Sequence, residues 1–314
     1  MSVRCNRAYR GPCSNTRMAN VPTEPAPQVE GFFDAATSTA TWLVLDRATR
    51  RCAVIDSVLD YDAKTGRTGS AGAQRLLDRI AELGATLQWI LETHIHADHL
   101  SAAQWLKARA GGTVGIGRRI TDVQRVFAAL FNAGPGFVPD GRQFDRLFYD
   151  GDAFAVGSLQ VTALHTPGHT PGCMSFVVAG GARASVFIGD TLFAPDYGSA
   201  RCDFPGGDAA ALYRSIRRLL ELPGDTVLHL CHDYAPGGRD TILATTVAEQ
   251  RAANIHAHDG VSEAEFVAMR TARDAGLAKP QLLLPSVQVN MRGGALPEPE
   301  DNGVRYLKIP LDRL

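Results

Sequence analysis

No stretch of this 314-residue chain stays apolar over the roughly 20 residues that a membrane-spanning helix requires, so no membrane partner is expected. Charge surplus is lacking too, since 32 Lys and Arg face 33 Asp and Glu. The resulting net charge of −1 offers no basic field for nucleic acid or anionic lipid, which sets both aside as partners. Cysteine is sparse, and Cys5, Cys13, Cys52, Cys173, Cys202 and Cys231 include no Cys-x-x-Cys pair. Residues 1–20 carry Arg4, Arg7, Arg10 and Arg17 but no apolar core, so they are not a secretory signal. Reduced thiols and a cytoplasmic location are the expectation. The same segment, Arg-rich and without acids, is faintly similar to an organelle transit peptide. Otherwise residues 1–28 read as a tail of low hydrophobicity, with Met18 an alternative start.

What is present is an ordinary enzyme-like composition, 45% apolar and 21% charged, on a chain long enough for a large core. Residues 20–30 read as an extended, proline-bearing lead-in. Strands are expected at 41–45 and 52–55, joined by a polar turn and ending at Asp56. Gly66 to Gly72 reads as a loop, and 74–83 as a helix with Leu76, Leu77, Ile80 and Leu83 on one face. A short apolar strand at 87–91 leads into a histidine cluster, and 100–109 follows as a helix. Strands are expected on both sides of Gly157-Ser158, at 174–178, 184–188 and 226–230. Asp208 caps a helix running to Leu222. Thr246-x-x-Glu249 and Ser262-x-x-Glu265 are capping boxes that announce two more helices. Two groups of strands with helices between them indicate an α/β sandwich, helices outside two sheets.

The chemistry concentrates in Thr93-His94-Ile95-His96-Ala97-Asp98-His99. Alternate residues leaving a strand point the same way, so His94 and His96 can share one metal, while Asp98 and His99 turn into the next helix and face a second position. His169, Asp190 and His232 stand at other strand ends. Asp190 could bridge two metals, with His169 and His232 completing the shells. Imidazole with carboxylate suits zinc, iron or manganese. His165, His229, His256 and His258 read as structural or exposed. Asp56 reads either as a turn residue or as a carboxylate orienting a ligand histidine.

The set His94, His96, Asp98, His99, His169, Asp190 and His232 resembles the full ligand pattern of the metallo-β-lactamase superfamily. The resemblance implies a single-domain αββα sandwich over 29–314 with the metals at one edge of the sheets. Residues 245–314 would be a helical and loop extension packing on it. A β-lactamase proper is disfavoured, because its commonest form has Cys where Asp190 stands. A tRNA-processing nuclease is disfavoured by the lack of basic charge, and a flavodiiron protein by the lack of a flavin domain.

Two branches remain. One resembles glyoxalase II, a thioester hydrolase of glutathione conjugates that would use all seven residues on zinc or a mixed dinuclear metal, with Asp98 also handling protons. The other resembles the persulfide dioxygenases, which oxidise glutathione persulfide, or a related small thiol persulfide, to sulfite with O2 at one Fe(II) per chain. The second is favoured on the segments around His169 and Asp190, Arg201-x-Asp203-Phe204, Cys231-His232-Asp233-Tyr234, Thr245-Thr246-Val247-x-Glu249 and Asn290-Met291-Arg292-Gly293-Gly294. It implies His94, His169 and Asp190 as the iron ligands, with His96, Asp98, His99 and His232 holding waters and orienting ligands. Asp98, His96 and Arg201 are then the expected catalytic residues. Arg201, Tyr197, Tyr234, Asn290 and Arg292 are the expected substrate contacts, Arg201 pairing a carboxylate bidentately. Eukaryotic members carry Cys where this chain has Ser199, which bears on glutathione specificity. A homodimer is the assembly common among such relatives.

Overall fold

The computed structural model describes residues 26–313, so residues 1–25, with Cys5, Cys13 and Met18, lie outside it. Two six-stranded sheets face each other. The first has the order Gln28–Asp34, Thr39–Asp46, Arg51–Ile55, Thr86–Leu91, Thr113–Gly117, Arg146–Phe148. The second runs Ala153–Val156, Leu159–His165, Met174–Val178, Ser185–Phe187, Val227–His229, Ala244–Thr246. Helices α1 (Ala71–Glu82), α2 (Ala103–Ala110), α3 (Ile120–Leu130), α4 (Ala209–Leu220), α5 (Val247–Ala253), α6 (Glu263–Asp274) and α7 (Leu283–Asn290) cover the outer faces. This is the αββα sandwich.

Thr39–Asp46 shows why the layers form. Its side chains alternate between faces, and both faces are covered, so every residue is buried. Ala40, Trp42 and Val44 enter the core between the sheets, among Phe148, Phe176 and Phe187. Leu43 and Leu45 enter the outer core with Leu76 and Ile80 of α1 and Leu106 of α2. On the far side α4, α5 and α6 place Leu212, Ile216, Val247 and Phe266 against Val186 and Leu228. Asp208 caps α4 by accepting from the Ala211 N–H at 2.7 Å, and both capping boxes are formed.

Several expectations need correction. The lead-in at 20–30 ends in an edge strand, Gln28–Asp34, whose half-buried residues carry too weak an alternation to announce it. The ligand loop does not turn straight into a helix. Leu100–Ser101 first pairs with Val58–Leu59, and α2 begins only at Ala103. The expected loop 66–72 contains Arg67–Thr68, paired with Tyr61–Asp62, and the first residues of α1. The last strand of the second sheet, Ala244–Thr246, falls partly inside the segment expected to be an added extension. Among the described residues no helix is long and apolar enough to cross a membrane.

Candidate metal centre

Both sheets deliver residues to one edge. Arg51–Ile55 and Thr86–Leu91 are parallel neighbours, so Asp56 and Thr93 leave the sheet side by side. Asp56 accepts from the Thr93 N–H at 2.7 Å and from the Thr93 hydroxyl at 2.8 Å. Having donated its only proton, that hydroxyl can only accept from His94 Nδ1, at 3.0 Å. The same Asp56 accepts from His96 Nε2 at 3.0 Å. One buried carboxylate thus sets the tautomer and orientation of two histidines, which decides its two readings in favour of the orienting one. On the second sheet, Gly189 adopts φ +50° just before Asp190. A Cβ there would meet Thr93 at 2.6 Å, so glycine lets the two sheets close at the site.

The other rings are fixed in the same way. His169 Nδ1 donates to the Arg201 carbonyl at 2.8 Å, and His232 Nδ1 to the Ser38 carbonyl at 3.1 Å. His99 Nδ1 donates to Asp98 Oδ2 at 3.1 Å. Each ligand histidine has one nitrogen tied down and the other open. His94 Nε2, His96 Nδ1, His99 Nε2 and Asp190 Oδ1 are buried and have no hydrogen-bond partner. Such atoms cost about 1–3 kcal/mol each when left unpaired, and a metal cation is the partner that matches lone pairs from imidazole and carboxylate.

The ligating atoms of His94, His169 and Asp190 lie within 4.8 Å of one another, and those of His96, Asp98 and His99 form a second such group. His232 Nε2 lies 3.3 Å from Asp190 Oδ1 and 3.6 Å from Asp98 Oδ2. Burial first, then the neighbouring rings, pushes His94 and His96 well below the usual imidazole range, so both are neutral and free to ligate. Asp98 is held well below the carboxylate range. Burial opposes this, but His232 and His99 outweigh it. Beneath His96 sits Glu92, pushed well up by burial and by the charge of Asp56. Glu92 is the member of that pair that holds the proton, because Asp56 receives the Thr93 and His96 donors and Glu92 receives only Ser101 Oγ.

A cavity of about 400 Å³ opens onto Asp98, His169 and Asp190. Phe193, Tyr197 and Tyr234 form an aromatic wall, the two tyrosine rings 4.8 Å apart. Ser199 lies in the wall, its N–H donating to His256 Nδ1 at 3.0 Å. Burial pushes the thiols of Cys173 and Cys202 up to about 12, so neither is a thiolate here.

Three expected substrate contacts are placed otherwise. Asn290 is buried away from the cavity and straps the ligand loop. It donates to the His96 and His99 carbonyls at 2.9 and 2.8 Å and accepts from the Ser101 N–H at 2.8 Å. Arg292 lines a different cleft, its guanidinium over Phe137. Arg201 reaches the cavity wall, but its guanidinium is committed. It forms a bidentate pair with Asp203 at 2.5 and 2.7 Å and donates to the Ala278 carbonyl at 2.7 Å. The fork read as a substrate clamp is therefore an internal latch. Sequence reasoning missed Thr39, Ser38, Thr93 and Glu92. Their spacing carries no motif, although Thr93 and Glu92 abut the histidine cluster.

A model of the metallo-β-lactamase superfamily matches residues 36–232. The chain belongs to this superfamily. It is 62% identical to a "Probable metallo-hydrolase" of Burkholderia pseudomallei, over 91% of this chain and 99% of that one. It is 48% identical to "Glyoxylase B2" of Dictyostelium discoideum, over 91% and 98% of the two chains. It is 31% identical to the human mitochondrial persulfide dioxygenase ETHE1, over 84% and 87%. The crystal structure of ETHE1 from Myxococcus xanthus superposes with a TM-score of 0.67 at 30% identity, covering 85% of this chain and all of that one. The superfamily is one of metal-binding enzymes, with both hydrolases and a dioxygenase among these relatives.

Proposed function

We propose that the protein is an Fe(II)-dependent persulfide dioxygenase acting on glutathione persulfide or a related small thiol persulfide. The observation that carries this reading is the compact group of His94, His169 and Asp190, two of which face the cavity. Two histidines and one carboxylate with open positions beside them suit non-haem Fe(II) better than a closed structural site. The likeness to ETHE1 in sequence and in fold supports it.

Fe(II), when bound, would bring O2 and the terminal sulfur together and pass electrons between them. One O2 and one water convert that sulfur to sulfite, releasing the thiol and two protons. The chain's own part is positioning. The Arg201 carbonyl and Thr93 hold His169 and His94 as single tautomers. Asp98, open to the cavity and kept ionised by His232 and His99, offers the substrate a hydrogen-bond acceptor. The aromatic side chains of Phe193, Tyr197 and Tyr234 line one side of the cavity, an apolar surface for the substrate's stem.

A second reading, a dinuclear hydrolase of S-acylglutathione, has its own support. His99 Nε2 and Asp190 Oδ1 are also unpartnered, and His232 stands beside them. The relatives at 62% and 48% identity carry hydrolase and glyoxylase names. Anaerobic purification, iron and zinc quantification, and O2 uptake with glutathione persulfide separate the two. One iron per chain with persulfide-dependent O2 uptake is the expected result. Two metals per chain with thioester cleavage and no O2 uptake would overturn it.

A further inference from the structure

Three arginines stand on the cavity wall, and two are spent internally. Arg201 is held by Asp203, and the fully buried Arg270 binds Asp274 Oδ1 through two nitrogens at 2.9 and 2.6 Å. Asp203 also takes Lys279 at 3.0 Å. Arg273, in the last turn of α6, lines the same cavity, is exposed, and forms no ion pair among the described residues.

The cavity is electrically polar as a result. Its metal end carries the carboxylates of Asp98 and Asp190, and the wall built by 270–282 carries the uncompensated Arg273. Between them the lining is largely apolar, from Leu277, Pro280 and Leu282 on one side to the aromatic wall on the other. An elongated ligand with sulfur at one end and a carboxylate at the other would satisfy both ends. Arg273 is the unpaired cation that such a carboxylate would meet at the end away from the metal site.

We propose that Arg273 is the residue that recognises the anionic tail of the substrate, selecting small thiol derivatives that carry a carboxylate away from the sulfur. This rests on the reading of the cavity as a site for a thiol-derived substrate, and it holds for a persulfide and a thioester alike.

The test uses the metal-loaded protein and an unreactive probe, so turnover does not enter. S-methylglutathione and its diethyl ester, in which both carboxylates are blocked, are titrated calorimetrically at low salt. The wild-type protein is expected to prefer the free acid by roughly two- to fivefold, the range for one exposed ion pair. Arg273→Ala should erase that preference, Arg273→Glu should invert it, and Arg273→Lys should keep most of it. Metal content and thermal unfolding should be unchanged in all three, which a structural role would not allow. An Arg273→Ala protein that keeps the wild-type preference overturns the proposal. So does a wild-type protein that binds acid and ester equally, whatever its O2 uptake shows. Loss of O2 uptake with the acid preference intact would instead count against the dioxygenase reading alone.

Discussion

The two halves of the metal centre are held by different parts of the fold. His94 and His96 hang from Asp56 and Thr93, at the ends of two adjacent central strands of the first sheet. Asp98, His99 and His232 lean on the turn between that sheet's first two strands. The Thr39 hydroxyl lies 3.1 Å from Asp98 Oδ2 and 3.4 Å from Nδ1 of both His99 and His232. Ser38, whose φ of +55° aims its carbonyl at His232, completes that support. One half is thus set by the sheet's centre, where packing leaves little freedom. The other is set by a turn at its edge, held by a few hydroxyl contacts. The persulfide and thioester readings differ in whether this second half carries a metal. The first position is tied to the ends of central strands, the second to contacts made by Ser38 and Thr39.

The largest effect should come from removing the support of the central half. Asp56→Ala strands the Thr93 N–H, the Thr93 hydroxyl and the His96 Nε2–H in a buried setting. A loss of about 3 kcal/mol or more in stability is expected by urea unfolding, together with loss of bound metal. Asp56→Asn, which tolerates the φ of +54° and retains one acceptor, should lose less. Wild-type stability in Asp56→Ala would remove the basis of the comparison. Next comes Asn290→Ala, at about 2 kcal/mol, since three buried hydrogen bonds go with it. Asn290 grips His96 and His99, both of the second group, so a second metal equivalent should weaken more than iron on His94, His169 and Asp190. Equal weakening of the first equivalent would show that the strap steadies the whole ligand loop.

How much of this could be read from the chain depends on where the information sits. The candidate ligands are local: Thr93 to His99 is a contiguous motif, and His169, Asp190 and His232 each follow a strand with clear apolar patterning. The caps at Asp208, Thr246 and Ser262 were legible for the same reason, because a cap is decided within four residues. The supports are not local. Thr39 reaches Asp98 across 59 residues, and Asn290 reaches His96 across 194. Nothing in a single sequence marks such a pair. Residue type also misled, because an arginine near a site suggests substrate recognition whether or not it is already paired. Arg201 has Asp203 two residues away, a pairing the spacing permits but only the backbone turn settles. The region 113–148 went unread because Thr113–Gly117 has two glycines in five residues and Arg146–Phe148 is three residues long, although α3 carries a legible apolar face in Ile120, Val123 and Phe127.

The smallest effect is the most discriminating. Thr39→Val keeps the shape of a fully buried side chain but deletes the hydroxyl shared by Asp98, His99 and His232. About 1 kcal/mol of stability should be lost. Metal binding separates the two halves more sharply than stability does. Iron bound through His94, His169 and Asp190 should be retained, because none of those groups touches Thr39. Uptake of a second equivalent of zinc, followed by competition with a chromophoric chelator, should weaken roughly tenfold, the low end for loss of one orienting contact. Thr39→Ser restores the hydroxyl and should restore that affinity. If the first equivalent weakens as much as the second, the turn supports the whole centre and the two halves are one unit. If neither weakens, the Thr39 contacts are incidental, and the carbonyl of Ser38 and the carboxylate of Asp190 orient the outer half.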